Sequence, residues 1–346
     1  MTKNGKFLIK ALCFSLIFLM IFFPMQELFV HKSLEEPWDM TRKTFGFYNE
    51  PEDEFSVLYF GSSHAYTAFS PLEIWHETGI KSYVFATQAQ PMWATTAYLK
   101  EALKTQSPKL VILETYRLLD DVSYTDEAVT HSYMDDLPLS INKTALAYQS
   151  APEGERLPLM LNFMKYHNRW SSLDADDWHF NRATLHDPYK GFVVLPPNAK
   201  AKNNTVDLSP TTIEEAPPIS EKNLEALDEF LTICDKHNIA VWMVKTPCNI
   251  SSIEKQRIQQ IADFADDYAI PFDDFNTYEI YQKLHLNAQK TFFDQNHMDI
   301  VGASRFNQFF SKMLAHRYPD LPRDTEDAEW QKAYDDYQEK IQPYMP

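Results

Sequence analysis

Two short strings in the sequence carry side chains that could act together in nucleophilic catalysis. The first is Gly-Ser-Ser-His at 61–64, directly after the apolar run Val-Leu-Tyr-Phe at 57–60. The second is Asp-Gln-Asn-His at 294–297. A carboxylate three residues before a histidine can accept a hydrogen bond from Nδ1–H of that ring, which leaves Nε2 free to take a proton from a hydroxyl. The two strings therefore predict a serine nucleophile that His297 activates and Asp294 assists.

Each string also has a structural alternative. Glycine and serine are common in the turns that end strands, and a D-x-x-H pair often occurs by chance. We favour the catalytic interpretation because the first string follows the first predicted strand and the second precedes the last predicted helix, for which Asp299 is a candidate N-cap. These two places meet at the carboxyl edge of a doubly wound sheet. The alternative is that both strings are unrelated turns.

The elements that must position these strings alternate between strands and helices. Residues 108–115 are nearly all apolar, which is typical of a strand buried on both faces of a parallel sheet. Strands that alternate with crossover helices predict an α/β fold with a doubly wound parallel sheet flanked by helices. The predicted strands are 55–60, 81–87, 108–115, 239–247 and a short one near 270–272, and the predicted helices are 70–79, 91–106, 220–238, 252–269 and about 301–316.

Three regions fall outside this alternation. Residues 31–54 are a polar stretch dotted with aromatic residues, which we interpret as a connector. Residues 117–219 show no clean period and predict a large insertion after the third strand rather than core. Residues 319–346 predict an acidic amphipathic helix that forms a solvated tail. The domain that carries the chemistry is then 55–318, with 117–219 inserted into it.

The N-terminal segment 1–30 predicts a membrane anchor. Three lysines precede an apolar stretch at 11–25, which residues 28–30 extend. Lysine-rich flanks stay on the cytoplasmic side, so we expect a single-pass protein of the cell membrane with a cytoplasmic N-terminus and an extracytoplasmic domain. The stretch is shorter than the ~20 residues usual for a span. A cleaved signal peptide is the alternative, although no small-x-small cleavage site follows.

Composition argues against several classes of function. The net charge of −17 argues against nucleic acid as a partner. Only 7 glycines are present and no GxGxxG or GxxxxGK[ST] pattern occurs, so we expect no cofactor. The histidines lack ligand spacing and no CxxC occurs, so we expect no metal site. Cys234 and Cys248 are expected as buried free thiols, with a disulfide between them as the alternative.

The two strings resemble the motifs of the SGNH (GDSL-like) hydrolase superfamily. There a Gly-x-Ser ends the first strand, and a D-x-x-H stands just before the last helix. The resemblance covers about residues 52–318 without the insertion. It implies a flavodoxin-like SGNH hydrolase fold in which Ser63 is the nucleophile, His297 the general base and Asp294 its orienter. Ser62 is the alternative nucleophile.

The chain departs from this superfamily at the oxyanion hole. The pattern has a glycine after the second strand and an asparagine after the third, where this sequence reads FATQAQP at 85–91 and LETYR at 113–117. The Ser63 amide, together with a backbone amide of 87–90 or the side chain of Gln88 or Gln90, could still stabilise an oxyanion. The departure argues against ordinary esterase activity of high turnover.

Four further side chains are candidates for contact with a substrate. His64 would touch the substrate or tune the nucleophile, or else it bonds to the backbone. Arg117 could bind an anionic or sugar group, or else it pairs with a nearby carboxylate. Tyr116 could stack on a sugar ring, with core packing as the alternative. Arg169, in the predicted insertion, is a weaker candidate of the same kind.

The oxyanion departure and the anchor together resemble a membrane-bound branch of the superfamily, which includes the teichoic-acid D-alanylation protein and the alginate acetylation proteins. That resemblance implies an extracytoplasmic serine acyltransferase or esterase acting on O-acyl groups, with O-acetyl expected, of a cell-envelope polysaccharide or teichoic acid. The expected partner is an MBOAT-type membrane acyltransferase. The alternatives are a carbohydrate deacetylase with the same triad, and a non-catalytic scaffold or polymer-binding subunit of an envelope complex.

Overall fold

The computed structural model describes residues 3–211, 213 and 215–345, and its centre is one parallel sheet. All strand pairings are parallel, and the strands lie in the order β2-β1-β3-β4-β5. This is the flavodoxin-like, doubly wound order, in which sites form where the order reverses, here at the carboxyl ends of β1 and β3. The strands are β1 (Val57–Phe60), β2 (Ser82–Val84), β3 (Leu110–Glu114), β4 (Ala240–Lys245) and β5 (Phe272–Asp274).

Helices surround this sheet and confirm the α/β class with helical flanks. Each predicted strand and helix of the alternation overlaps an observed element. The α-helices are α1 (Lys3–Phe29), α2 (Met40–Tyr48), α3 (Ser63–Tyr66), α4 (Pro71–Thr78), α5 (Met92–Ala102), α6 (Glu127–Met134), α7 (Ile141–Ser150), α8 (Arg156–Met160), α9 (Asn162–Tyr166), α10 (Glu221–Lys236), α11 (Ser252–Asp267), α12 (Tyr278–Lys283), α13 (Ile300–Arg317) and α14 (Ala328–Ile341). Short 3-10 helices lie at Tyr116–Leu119, Glu153–Glu155, His167–Ser171, Asp176–Trp178, Arg182–Thr184, Ala199–Asn203 and Gln342–Tyr344.

Local sequence signals explain the strands and the helix starts. β1 and β3 are buried along their whole length, because their apolar side chains face helices on both sides of the sheet. The helices α4, α10 and α11 each begin after a serine whose side chain accepts a backbone amide of the first turn. Those serines are Ser70, Ser220 and Ser251.

The N-terminal helix α1 is long and apolar enough to cross a membrane. Within its segment Asn4–Phe29, an 18-residue window has a mean hydropathy of 2.4, and no residue of that window is buried in the protein. At about 1.5 Å per residue, its 26 residues span roughly 40 Å, against a hydrocarbon core of about 30 Å. The helix runs through Pro24 without a break. The apolar span is therefore longer than the stretch at 11–25 indicates.

The segment 31–54 is part of the domain rather than a free connector. It contains α2, and Phe47 of that helix is fully buried. The Phe47 ring stacks on Phe85 with 4.0 Å between ring centroids. Lys43 of α2 forms a buried ion pair with Asp187 at 3.2 Å. The polar composition of the segment concealed the aromatic face of this short helix.

The predicted insertion also contributes to the core. The described residues of 117–219 contain α6 to α9 and no strand, but Tyr133 and Leu146 are buried in the main hydrophobic cluster. The segment 190–195 passes along the sheet edge, where the Val84 amide donates to Lys190 O at 3.0 Å and the Val193 amide donates to Tyr66 O at 2.7 Å. The expectation that 117–219 lies outside the core is therefore wrong for these residues.

The C-terminal tail forms a helix, as predicted, but that helix is not simply solvated. Trp330, Tyr337 and Ile341 of α14 are buried, and α14 packs on α4. The Tyr337 hydroxyl donates to Glu73 Oε1 at 2.7 Å. Burial of the Glu73 carboxyl raises its pKa to about 7, although the hydrogen bond from Tyr337 opposes the shift. One face of the acidic helix thus completes the domain.

Phe47→Ala tests whether the segment before β1 belongs to the core. We expect it to lower the free energy of unfolding by about 3–5 kcal/mol, because a fully buried ring is removed. Tyr278→Ala, which truncates an aromatic residue that is 64% exposed, should change it by less than about 0.5 kcal/mol. Denaturant unfolding of the full chain in one detergent measures both. Equal stability of Phe47→Ala and the unmodified protein would contradict the assignment.

Candidate active site

The two strings meet at the carboxyl edge of the sheet. His297 Nε2 lies 2.8 Å from Ser63 Oγ, although the residues are 234 positions apart in sequence. His297 Nδ1 lies 2.9 Å from each carboxylate oxygen of Asp294. Because an ionised carboxylate only accepts hydrogen bonds, Nδ1 carries the proton, and Nε2 offers its lone pair to the serine hydroxyl. Ser63, rather than Ser62, is the serine in contact with the histidine.

A sharp turn at Gly61 brings Ser63 to this position. Gly61 has φ of +149°, which side chains rarely permit, and a Cβ there would lie 2.9 Å from Glu114 Cβ. Ser62 is extended, and its buried hydroxyl has no hydrogen-bond partner among the described residues. Ser63 then begins α3. The glycine is needed both for the backbone conformation and for the close approach to the end of β3.

The loop that carries the histidine is fixed on both sides. An antiparallel bridge joins Phe292 to Met298 before α13 begins. Asp299 caps α13, accepting from the Gly302 amide at 3.0 Å, as the sequence predicts. A Cβ on Gly302 would lie 2.2 Å from Thr291 O, so only glycine allows this packing. The imidazole is thus attached to rigid structure on either side.

The carboxyl groups of this loop differ in their pKa. Partial burial alone would raise the pKa of Asp294, but the hydrogen bond and charge of His297, with the amides of Asn296 and His297, hold it below its usual value. Burial raises the pKa of Asp299 to about 6, because only backbone amides and distant Arg305 oppose it. Asp294 is therefore ionised beside the imidazole at neutral pH.

Beneath the nucleophile turn lies a fully buried ion pair. Lys245 Nζ lies 3.2 Å from Glu114 Oε1, and both side chains are completely inaccessible to solvent. Glu114 also accepts from the Thr246 hydroxyl at 3.1 Å and from the Tyr116 amide at 3.1 Å. Lys245 lies over the Tyr116 ring, 5.0 Å from its centroid. The end of β3, where the resemblance expects an asparagine, is therefore an ion-paired carboxylate.

A cavity of about 590 Å³ opens above the triad. His64, Gln88, Tyr116 and Arg117 line it, so the structure brings four of the six predicted accessory residues to the site. Arg117 pairs with Asp120 at 2.5 Å, which is the alternative interpretation, and its contact with a substrate stays a prediction. Two aromatic lining residues were not predicted from the sequence. They are Trp38, which is 46% exposed, and the buried Tyr66.

Two predicted residues do not reach the cavity. Gln90 is buried, where its Oε1 accepts from the Thr87 amide at 3.0 Å and its Nε2 donates to Thr95 Oγ1 at 3.0 Å. These bonds hold the Gln90 side chain in the protein interior, and it does not line the cavity. Arg169 forms an ion pair with buried Asp177 at 2.8 Å and donates to Phe29 O at the end of α1. Both expectations are wrong, because each side chain has a better internal partner.

A second cavity of about 420 Å³ continues from the first. The two share Trp38, Tyr66 and Gln88 as lining residues. The second is also lined by His31, which lies just after α1, and by Tyr166 of α9. The site is therefore one groove that leads from the triad toward the place where α1 joins the domain.

The two cysteines of the domain are free thiols. Cys234 and Cys248 are buried and do not form a disulfide. Burial raises the pKa of the Cys248 thiol to about 11, although the Lys245 ammonium opposes the shift. Among the residues that the structure describes, no group of three His, Cys, Asp or Glu side chains could hold a metal ion.

Comparison of the sequence with protein-family models gives no match, and comparison with curated proteins gives none either. The SGNH resemblance therefore depends on the motifs themselves. What the geometry offers chemically is a serine hydroxyl in contact with a carboxylate-oriented imidazole beside a cavity. This arrangement is suited to nucleophilic attack on a carbonyl carbon.

Gly61→Ala tests how the nucleophile turn is built. We expect it to lower the free energy of unfolding by about 1–3 kcal/mol, because the new Cβ strains φ and presses on Glu114. Gly154→Ala is the matched control, since a Cβ there meets nothing within 4 Å. Thermal unfolding of the two variants beside the unmodified protein measures the difference. A Gly61→Ala protein as stable as Gly154→Ala would contradict the close packing at this turn.

Proposed function

We propose that this protein is an SGNH-type serine acyltransferase or esterase that acts on O-acyl groups of a cell-envelope polysaccharide or teichoic acid. The observation that carries the proposal is the hydrogen-bonded series Ser63–His297–Asp294, with contacts of 2.8 and 2.9 Å. The glycine turn after β1 and the capped helix after the D-x-x-H string also match the motifs of that superfamily. The family membership, the activity and the substrate are parts of one proposal.

The chemistry that these residues perform has two stages. Ser63 Oγ forms a bond to the acyl carbon while its proton passes to His297 Nε2, and the carbonyl electron pair moves onto oxygen. Asp294 stabilises the imidazolium through Nδ1–H. The tetrahedral centre collapses when the leaving oxygen takes the proton, which leaves acyl-Ser63. A hydroxyl of an acceptor, or water, then gives its proton to His297 as its oxygen bonds to the acyl carbon. The second tetrahedral centre collapses when His297 returns that proton to Ser63 Oγ, which releases the acylated acceptor or the free acid.

The groove supports a polymer acceptor. It runs past Trp38, whose exposed indole offers a face for a sugar ring, toward the residues that follow α1. An acceptor that lies along the envelope could reach Ser63 by this route. The acyl donor would come from an MBOAT-type membrane acyltransferase, since an acyl group made in the cytoplasm needs a membrane carrier. The anchor α1 would keep the two proteins on one membrane.

A scaffold without catalysis is the second candidate, and one observation favours it. The stretch 113–117, where the resemblance places an oxyanion asparagine, contains none, and the Glu114 carboxylate at the end of β3 cannot donate to an oxyanion. Against it, the Ser63 amide donates none of the hydrogen bonds found among the described residues, so it is free to serve. Gln88, exposed at the cavity, is a further donor. A deacetylase would use the same triad with water as the acceptor.

Substitutions in the triad test the proposal. Ser63→Ala and His297→Ala should each abolish polymer acylation and labelling by a serine-directed fluorophosphonate, because the first removes the nucleophile and the second its base. Asp294→Asn should lower the rate of polymer acylation about 10⁴-fold, the scale for a misplaced triad tautomer. Ser62→Ala should retain most labelling, because its hydroxyl does not contact His297. Labelling and acyl-polymer yield are measured at equal expression.

Two outcomes would overturn this assignment. If Ser62→Ala lost labelling while Ser63→Ala kept it, the nucleophile would be the neighbouring residue. If the unmodified full-length protein showed no labelling and none of the four substitutions changed polymer acylation in cells, the scaffold function would replace the enzymatic one.

Membrane topology is a separate prediction. We propose that α1 is an uncleaved anchor with a cytoplasmic N-terminus, because three lysines precede its apolar segment. External protease on spheroplasts should then digest residues 31–346, and a salt wash should leave the undigested protein in the membrane. A cytoplasmic protein of similar size is the control for intact cells. A soluble product lacking the first 30 residues would show that the segment is a cleaved signal peptide.

A further inference from the structure

We propose that His64 donates an Nε2–H hydrogen bond to the oxyanion at Ser63 and so replaces the asparagine amide that this chain lacks. This inference rests on the proposed acyl-transfer function. It assigns a catalytic role to a residue that the triad does not use.

The position of the ring supports this role. His64 follows the nucleophile and lines the cavity above the triad. Its ring stacks on Tyr116, which comes two residues after the end of β3, with 3.8 Å between centroids and 25° between planes. It also lies 5.2 Å, centroid to centroid, from the His297 ring. The imidazole therefore lies between the general base and the carboxyl end of β3, where the missing amide would have been attached.

The two ring nitrogens have different surroundings. His64 is only 4% exposed, and its Nδ1 is shut off from solvent with no hydrogen-bond partner among the described residues. The ring can therefore form a hydrogen bond with a group in the cavity only through Nε2. An orphaned buried N–H is rarer and costlier than an orphaned acceptor, so the single proton of a neutral ring belongs on Nε2. The ring then presents a donor to the cavity.

The surroundings also keep the ring neutral. Burial lowers the pKa of His64 well below its usual value, and the positive charges of Lys245 and Arg117, with that of His297 when it is protonated, lower it further. A neutral imidazole is a useful oxyanion donor because it polarises the carbonyl without surrendering its proton. Stacking on Tyr116 and the fixed ion pair beneath it hold the ring still, so the donor needs little reorganisation during the reaction.

Other side chains near the oxyanion position are poorly suited. Glu114 accepts hydrogen bonds only, and Lys245 is fully buried in its ion pair. The buried Gln90 side chain accepts from the Thr87 amide and donates to Thr95 Oγ1. The Ser63 amide supplies one donor and His64 a second, and the exposed Gln88 amide at the cavity is an additional donor.

The test compares variants that keep the ring shape with variants that keep the donor. Hydrolysis of p-nitrophenyl acetate by the full-length protein in detergent is followed for His64→Phe, which retains the stacked ring without nitrogen, and His64→Gln, which retains an N–H donor. We expect His64→Phe to lower kcat by about 10²–10³-fold with KM within a few-fold, the scale for a lost oxyanion donor. We expect kcat of His64→Gln to be at least tenfold higher than kcat of His64→Phe.

A transition-state analogue separates catalysis from structure. Affinity for phenylboronic acid, which forms a tetrahedral adduct with the serine, should fall in His64→Phe in proportion to kcat/KM. The matched control is His76→Ala: that histidine also stacks on a tyrosine, Tyr334, at 4.0 Å, but it is exposed and outside the cavity. It should behave as the unmodified protein does, and thermal unfolding checks that every variant is folded.

The outcomes distinguish this inference from the proposed function. If the unmodified protein is labelled by fluorophosphonate and folded His64→Phe matches it in kcat and boronate affinity, the role of His64 is refuted and the triad stands. If kcat of folded His64→Gln is no higher than kcat of His64→Phe, the ring contributes its shape and not a hydrogen-bond donor. That result also refutes the role of His64. If the unmodified protein neither hydrolyses esters nor is labelled, the acyl-transfer function fails and this inference fails with it.

Discussion

The parallel pairing of β1 with β3 places the backbone of the nucleophile turn against the end of a neighbouring strand, and the site depends on that contact. Phe60 pairs with Leu113 as the last residue of β1 in register. The next residues of the two strands, Gly61 and Glu114, then lie so close that a side chain at position 61 would collide with Glu114. The direction in which Ser63 leaves the sheet is therefore determined by the strand beside it.

The ion pair between β3 and β4 has a cost that its position explains. Burying two charges requires several kcal/mol of desolvation, and removal of one partner from such a pair typically destabilises a protein by about 3–5 kcal/mol. An apolar pair would often be as stable. Glu114 and Lys245 both contact Tyr116. Glu114 accepts a hydrogen bond from the Tyr116 amide, and Lys245 lies over the face of the Tyr116 ring. The ion pair thus fixes the position of Tyr116, and the His64 ring stacks on Tyr116.

The sequence predicted the sheet and the triad because their signals are local or depend only on topology. Strand hydrophobicity and the D-x-x-H string can be read directly, and parallel strands bring Ser63 and His297 to one edge wherever they occur in the chain. Gln90 and Arg169 were wrongly predicted although their partners Thr87 and Asp177 are only 3 and 8 residues away in the sequence. Residue types alone do not show whether a polar side chain bonds locally or faces a cavity. Trp38 was missed for a related reason: no local pattern shows that the segment before β1 folds back over the site.

The junction between α1 and the domain is stiff, and this determines how the site could meet its surroundings. The Phe29 ring packs against Phe163 with 5.6 Å between centroids, Arg169 donates to Phe29 O, and Lys32 donates to Asp177 O. These contacts hold the domain in one orientation relative to α1. Once α1 lies in a bilayer, the mouth of the groove stays at one height and faces one direction. The groove can then reach only a thin layer beside the membrane.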